Sequence, residues 1–258
     1  MTSNSTTRFS SRVKDYVLYR PGYPSEITDY LSQNYGLRSD SIIADIGSGT
    51  GKSSEMFLDN GNTVYGVEPN VDMRLAAEKL FEDNPYFISV DGKSEDTTLP
   101  DKSINFIIAG QAFHWFDPIE TKKEFSQILK PGGKVILIWN EREPNQTGFM
   151  GEYDAFLYKY STDYKEIDHR NIDETKIASF YSPGSFQEED FENSQNFDFE
   201  GLKGRYNSSS YAIPASDPGY SDVIQVLTEL FMKYENDGEI VMKYVTKLFC
   251  GDFGKNEI

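Results

Sequence analysis

The stretch "ADIGSGTGKSSE", Ala44 to Glu55, has three glycines in five positions, followed by Lys52 and Ser53. The continuously apolar "SIIADI" (41–46) before it reads as a short strand, and "KSSEMFLDN" (52–60) after it as a helix, so the glycines form a strand-to-helix turn. Such turns cradle several kinds of ligand. A phosphate-binding P-loop needs a glycine five residues ahead of its Gly-Lys-Ser; here that position is Ile46, whose side chain stands where bare backbone must wrap a phosphate. A dinucleotide turn reads G-x-G-x-x-G; Gly47 and Gly49 fit, but Lys52 takes the third place and Gly51 comes one residue early. The stretch does fit apolar-apolar-Asp-apolar-Gly-x-Gly-x-Gly, which allows close backbone approach at Gly47, Gly49 and Gly51 and places Asp45 at the end of the strand.

Outward from this turn, strands and helices alternate. "NTVYGVE" (62–68), "YFISV" (86–90), "INFIIAG" (104–110) and "KVILIWN" (134–140) are apolar runs of strand length. Asn70 can cap a helix carrying Met73, Ala77 and Leu80, and Asp117-Pro118-Ile119-Glu120 opens another that ends at "LKPGG". Continuously apolar strands separated by helices predict a parallel sheet covered on both faces: an α/β, Rossmann-like, doubly wound fold. At the N-terminal side, Phe9, Val13, Tyr16 and Val17 share a helical spacing that "PGYP" (21–24) breaks, and a second helix runs from Ser25 to a stop at Gly36. Residues 141–185 are polar, acidic and tyrosine-rich, and read as a helical insertion over the site. "FENSQNFDFE" (191–200) and "EIVMKYVTKLF" (239–249) alternate as strands around an amphipathic helix over 220–238. The expected layout is one domain over 1–258: a lid and helix (1–37), a cofactor-binding half (38–140), the insertion (141–185) and strands completing the sheet (186–258).

Composition narrows the function. The net charge of -17, from 25 Lys plus Arg against 42 Asp plus Glu, repels phosphate backbones and anionic lipid, so neither a nucleic-acid nor a membrane partner is expected. No apolar run approaches the roughly 18 residues of a membrane span. The single cysteine, Cys250, suits a reducing compartment, and the N-terminus has no apolar signal region, so the expected location is cytoplasmic. Two histidines and one cysteine predict no metal site.

Five motifs now stand in order: "DIGSGTG", "VYGVEPN", "LP", "INFIIAGQAFHWFD" and "LKPGGKVIL". In that order and at those intervals the chain, from about residue 9 to 250, resembles the class I S-adenosylmethionine-dependent methyltransferases. "YRPGYP" and "HWFD" resemble the trans-aconitate methyltransferase-like and UbiE-like small-molecule branch. The resemblance implies a mostly parallel seven-stranded sheet of order 3-2-1-4-5-7-6 with an antiparallel edge strand, S-adenosylmethionine as cofactor, and S-adenosylhomocysteine as its product. It also implies a helical N-terminal lid that folds over the cofactor.

The site residues follow from both readings. Glu68, 17 residues after Gly51, ends the second strand, where a carboxylate can accept from a ribose diol. Asp45 can orient the loop or attract the cofactor's ammonium. By resemblance, Ser94 and Glu95 face the adenine, with Asp91 as rival, and Gln111 contacts the methionine part. Tyr19 and Arg20 are expected toward cofactor and acceptor, with Arg20 extended ahead of Pro21. Tyr16, Trp115, Asn140, Arg142 and the segment "GRYNSSSY" (204–211) are candidates for the acceptor pocket. Lys52 and His169 read as solvated. His114 is the one candidate general base, although methyl transfer needs a base only when the acceptor must lose a proton. The reaction implied is methylation of a small molecule, an organic acid among the options, by a monomer or homodimer. A nicotinamide-dependent oxidoreductase and a non-catalytic S-adenosylmethionine-binding module are the competing readings.

Overall fold

The structure, a computed structural model, describes residues 13–142, 147–162, 164 and 174–254. Five strands run parallel: β1 (Ile42–Ile46), β2 (Thr63–Val67), β3 (Phe87–Val90), β4 (Ile104–Gly110) and β5 (Leu129–Glu141). Two more, β6 (Phe186–Phe197) and β7 (Ile240–Gly251), close the edge, β7 antiparallel to both β5 and β6. The order is β3-β2-β1-β4-β5-β7-β6, the Rossmann-like methyltransferase arrangement expected above. Its strand order reverses between β1 and β4, so the carboxyl ends of those two strands open the crevice in which α/β sheets bind ligands.

The helices start and stop where local chemistry dictates. Helix α1 spans Val13–Tyr19, and α2 (Glu26–Tyr35) ends at Gly36, whose left-handed backbone (φ 72°) lets its amide return to the Leu31 carbonyl. Helix α3 (Lys52–Asp59) follows the glycine turn. The Asn70 side chain accepts from the amides of Asp72 and Met73 at the start of α4 (Val71–Leu80). Asp117 does the same for Ile119 and Glu120 at α5 (Pro118–Ile128); such caps contribute about 1 kcal/mol each. Helices α2 and α3 bury Ile27, Leu31 and Phe57 on one face of the sheet; α5 and α7 (Glu174–Tyr181) bury Phe125, Ile128, Phe180 and Tyr181 on the other.

Three features differ from the expectation. The "LKPGG" segment belongs to β5: Leu129 already pairs with Ile104, and a register shift separates it from the regular ladder that begins at Lys134. The strand read over 191–200 starts earlier, at Phe186, and ends at Phe197. Asp198 then caps a helix that sequence alternation disguised, α8 (Phe199–Asn207), by accepting from the Gly201 amide. Finally, residues 141–185 do not act as one insertion. Helix α6 (Gly148–Tyr160) packs into a separate core with α8, α9 (Tyr220–Tyr234) and β7, whereas α7 joins the main sheet core.

That separate core rests on an overhang. The β5 ladder with β7 stops at Glu141↔Val245, but β6 and β7 continue to pair up to Phe197↔Ile240. The free end of this two-stranded ribbon projects past the carboxyl end of β5. Tyr153, Leu202, Tyr206, Leu227 and Met242 are buried there, so a roof stands over the ligand-binding edge of the sheet.

Candidate functional site

Two cavities meet at the carboxyl edge of β1 and β4. The first, about 280 Å³, runs along the glycine turn, Glu68, Met73, Ser94, Glu95 and Gln111. Gly47 has a left-handed backbone (φ 69°), and a Cβ built there would lie 2.8 Å from the Cβ of Ala112, so a side chain is excluded on both counts. Glu68 is 7% exposed. One of its carboxylate oxygens accepts from the Gly49 amide (2.9 Å) and the other from the Asn70 amide (2.8 Å). Burial raises its pKa above the ordinary value against the pull of these two amides and of Arg74. Gln111 holds a positive φ of 56°, a costly conformation for a side-chain-bearing residue, and donates from its side chain to the Asn140 carbonyl (3.1 Å). Ser94 donates to Glu95 (2.9 Å), and Glu95 also accepts from the Asp117 amide (3.1 Å), which ties the end of β3 to the start of α5.

The second cavity, about 130 Å³, lies under the roof and shares Tyr16, Gln111 and Trp115 with the first. Arg20, Arg142 and Arg205 converge on it from three separate regions of the chain. The Arg142 guanidinium donates to the Tyr164 hydroxyl (2.6 Å), which donates to Asp154 (2.6 Å), and it stacks over the rings of Tyr153 and Tyr164. Arg205 donates to the Tyr244 hydroxyl (3.2 Å) and to Ser209 (3.0 Å). Arg20 donates to the Ser208 carbonyl (3.0 Å) and lies 5.1 Å over the Tyr16 ring. The Nε of Arg20 and the Nη1 of Arg142 are buried and have no hydrogen-bond partner among the described residues.

Residues 44–137 match the methyltransferase domain family. An uncharacterised methyltransferase of Schizosaccharomyces pombe is 32% identical over 136 residues, covering 52% of this chain and 53% of its own length. One from Mycobacterium tuberculosis is 33% identical over 149 residues, 58% of each chain. The matched region thus spans little more than half the length of these relatives. In fold, the chain matches a candidate type II methyltransferase from Anaeromyxobacter dehalogenans (TM-score 0.63, 16% identity, 91% of this chain and 98% of that one). It also matches a candidate antibiotic-pathway methyltransferase from Anabaena variabilis (TM-score 0.62, 22% identity, 90% and 98%).

Residues 44–137 carry a methyltransferase domain, and the sheet around them has the Rossmann-like methyltransferase fold.

Of the residues expected at the cofactor, Gly47, Gly49, Glu68, Ser94, Glu95 and Gln111 come together in the first cavity, joined there by Tyr16 and Trp115, which were expected at the acceptor. Four expected cofactor residues lie elsewhere. Gly51 faces Phe81: a Cβ at Gly51 would come 2.4 Å from that ring, so this glycine serves the packing of the turn. Asp45 is fully buried behind the loop, where it accepts from the hydroxyls of Ser53 (2.8 Å) and Ser54 (2.7 Å). Tyr19 packs flat on α8 at Gly204, whose missing side chain leaves the notch that the ring fills. Arg20 lines the second cavity only, and its amide still bonds to the Tyr16 carbonyl (3.2 Å), so the helical turn continues up to Pro21. Asp91 is exposed and paired with Arg74.

Asn140, Arg142, His114 and Trp115 line the second cavity, with Lys52, read from the sequence as solvated, half-buried in its wall. The Asn140 side chain also has a structural task. With Asn193 it donates to the Gly22 carbonyl (3.0 Å each) and so latches the "PGYP" strap to the sheet. His169, Phe9 and the rest of residues 1–12 lie outside the described residues. Tyr164, Tyr244 and Ser53 were not expected in the cavity walls; nothing local marks them, because their positions depend on the ribbon overhang and on the turn into α3.

Two expected outcomes follow. Burial lifts Asp45 from 3.8 to about 6, against the two serine hydroxyls, and its Oδ1 has no partner among the described residues. The folded protein therefore holds a proton there that the unfolded chain has already released. Stability falls as pH rises from about 4 to about 6, by about 3 kcal/mol, and this contribution is flat above that window. Asp45→Asn cannot ionise, so urea unfolding should show the wild type losing stability relative to the variant across that range; parallel curves would refute the assignment. Lys52, absent from the walls of the first cavity, is expected to be dispensable there. In a calorimetric titration, Lys52→Ala should leave S-adenosylhomocysteine affinity within about threefold, since a solvent-screened charge contributes less than about 1 kcal/mol.

Proposed function

We propose that this methyltransferase binds S-adenosylmethionine in the first cavity and methylates a small carboxylic acid held by the arginines of the second. The residues fit the cofactor. Each Glu68 oxygen uses one lone pair on a backbone amide and keeps another for a ribose hydroxyl. A carboxylate facing the cleft also suits a ligand without phosphate. Ser94 and Glu95 supply polar groups where an adenine edge would lie, and Gln111 and the glycine turn border the methionine end. Bound there, S-adenosylmethionine supplies an activated methyl group on a sulfonium.

The arginine cavity carries the acceptor assignment. Three guanidiniums converge; among the described residues none is ion-paired with a carboxylate, and two of their buried N–H groups have no partner. In a chain of net charge -17 such a local concentration of positive charge suits an anion. The protein's overall field opposes anionic acceptors, so these arginines must attract and orient them locally. A carboxylate is already ionised at neutral pH and needs no proton removed. His114, exposed at the rim, is therefore not required as a base. Tyr16 and Trp115 border both cavities and would exclude water from the junction.

The test is transfer of labelled methyl from S-adenosylmethionine to a panel of small acids and their amides. Acids alone should become labelled, in a form released by alkali as expected of an ester. Equal labelling of the amides, or labelling of neutral alcohols only, would refute the acidic acceptor; no labelling of any compound would favour a binding module.

A further inference from the structure

Tyr211, the last residue of the candidate segment 204–211, stands in the arginine cavity. It is 5% exposed, and its ring packs edge-on against Tyr164 (centroids 4.9 Å apart), the residue whose hydroxyl receives Arg142. Two positions earlier in the chain, Ser209 receives Arg205. Tyr211 lines the same cavity as Arg20, Arg142 and Arg205, and its phenol can change from a hydrogen-bond donor to an anion.

We infer that the Tyr211 hydroxyl shares the arginine cluster with the acceptor, so that the cavity admits an anion only while Tyr211 keeps its proton. Protonated, Tyr211 donates to the incoming anion alongside Arg20, Arg142 and Arg205. Ionised, it becomes the cluster's internal counter-anion and competes for the same N–H groups. Tyr211 is thus a positioning and specificity residue rather than a base. The inference rests on the anionic-acceptor reading.

The surroundings support this. Arg20 and Tyr16 face the cavity from α1 and the strap, Arg142 and Glu141 from the end of β5, and Arg205 from α8. Tyr244 comes from β7, His114 from the turn after β4, Lys52 from α3, and Tyr164 carries the link to Asp154. Tyr153 lies under Arg142. Burial alone would hold Tyr211 neutral to high pH, but Arg142, Arg205 and Arg20 outweigh it and bring the phenol down to about 8.

The experiment uses sulfate, whose charge does not change between about pH 6.5 and 9, as the probe anion on the full chain. Near-ultraviolet absorbance follows phenolate formation, to which histidine titration does not contribute. One of the 17 tyrosines should ionise near pH 8, and sulfate should shift that midpoint upward. Sulfate affinity by calorimetry should fall about tenfold per pH unit above the midpoint. Tyr211→Phe should lose the early phenolate and bind sulfate independently of pH. Should that variant fail to fold, Arg142→Gln in its place should raise the phenolate midpoint. No tyrosine ionising before the others, a midpoint indifferent to sulfate, or the same decline in Tyr211→Phe would each overturn the inference while leaving the anionic acceptor standing. Failure of sulfate to bind at any pH, with Tyr211 titrating early, would instead overturn the anionic reading on which the inference rests.

Discussion

Replacing Glu68 by alanine is expected to weaken S-adenosylhomocysteine binding by roughly 10- to 150-fold, the equivalent of losing a charge-assisted hydrogen bond of about 1.5–3 kcal/mol. The variant also loses two internal bonds, because Glu68 fastens the glycine turn through Gly49 and the start of α4 through Asn70. Both amides would be left to find water, so the melting temperature should fall as well. Glu68→Gln separates the two effects. Its single carbonyl can serve one amide, but its NH₂ group would face the other donor to donor. Binding should therefore fall for the glutamine variant as well, although its shape is conserved. Titration calorimetry measures the affinity, and a thermal melt reports the loss of anchoring. A folded Glu68→Ala protein that binds as tightly as wild type would remove Glu68 from the site.

Replacing Arg142 by methionine is expected to lower kcat/KM for the acceptor acid by roughly 30-fold to more than 1000-fold, the range for truncating one partner of a desolvated charge pair. Affinity for S-adenosylhomocysteine should stay within about threefold, because Arg142 lines only the second cavity. Methionine keeps the length and apolar stem that pack over Tyr153 and Tyr164, so the loss isolates the guanidinium. Lysine should not rescue it: a point charge cannot donate to Tyr164 and to an acceptor oxygen with the same fixed fork. Steady-state kinetics with the best acid from the labelling panel decides the matter. An unchanged kcat/KM would place the acceptor elsewhere.

The contrast between these two residues parallels how each was found. Glu68 could be read from the chain because it sits at a strand end a fixed interval after a glycine turn, and both features are local. Arg142 was a candidate only for its position after the fifth strand, and Arg205 only as part of a polar segment. Neither spacing nor periodicity links residues 20, 142 and 205. Tyr16 and Tyr19 show the same limit at close range. They lie three positions apart on one helix, yet Tyr16 borders both cavities while Tyr19 drops into the notch at Gly204. Which ring turned inward depended on where α8 offered a gap.

By itself the sequence determined the parallel core of the sheet, its ligand-binding edge and part of the first cavity's wall, Gly47, Gly49 and Glu68 among it. Apolar strand periodicity, the caps at Asn70 and Asp117, and the conformations required of the glycine turn are all settled within a few residues of chain. Tertiary structure alone decided the second cavity. The β6–β7 ribbon outruns β5, its overhang buries a second core, and that core swings Arg205, Tyr211 and Tyr244 over the carboxyl edge to meet Arg20 and Arg142. A strand's length beyond its neighbour, and the charges it brings together, depend on packing between segments far apart in the chain, which no local pattern encodes.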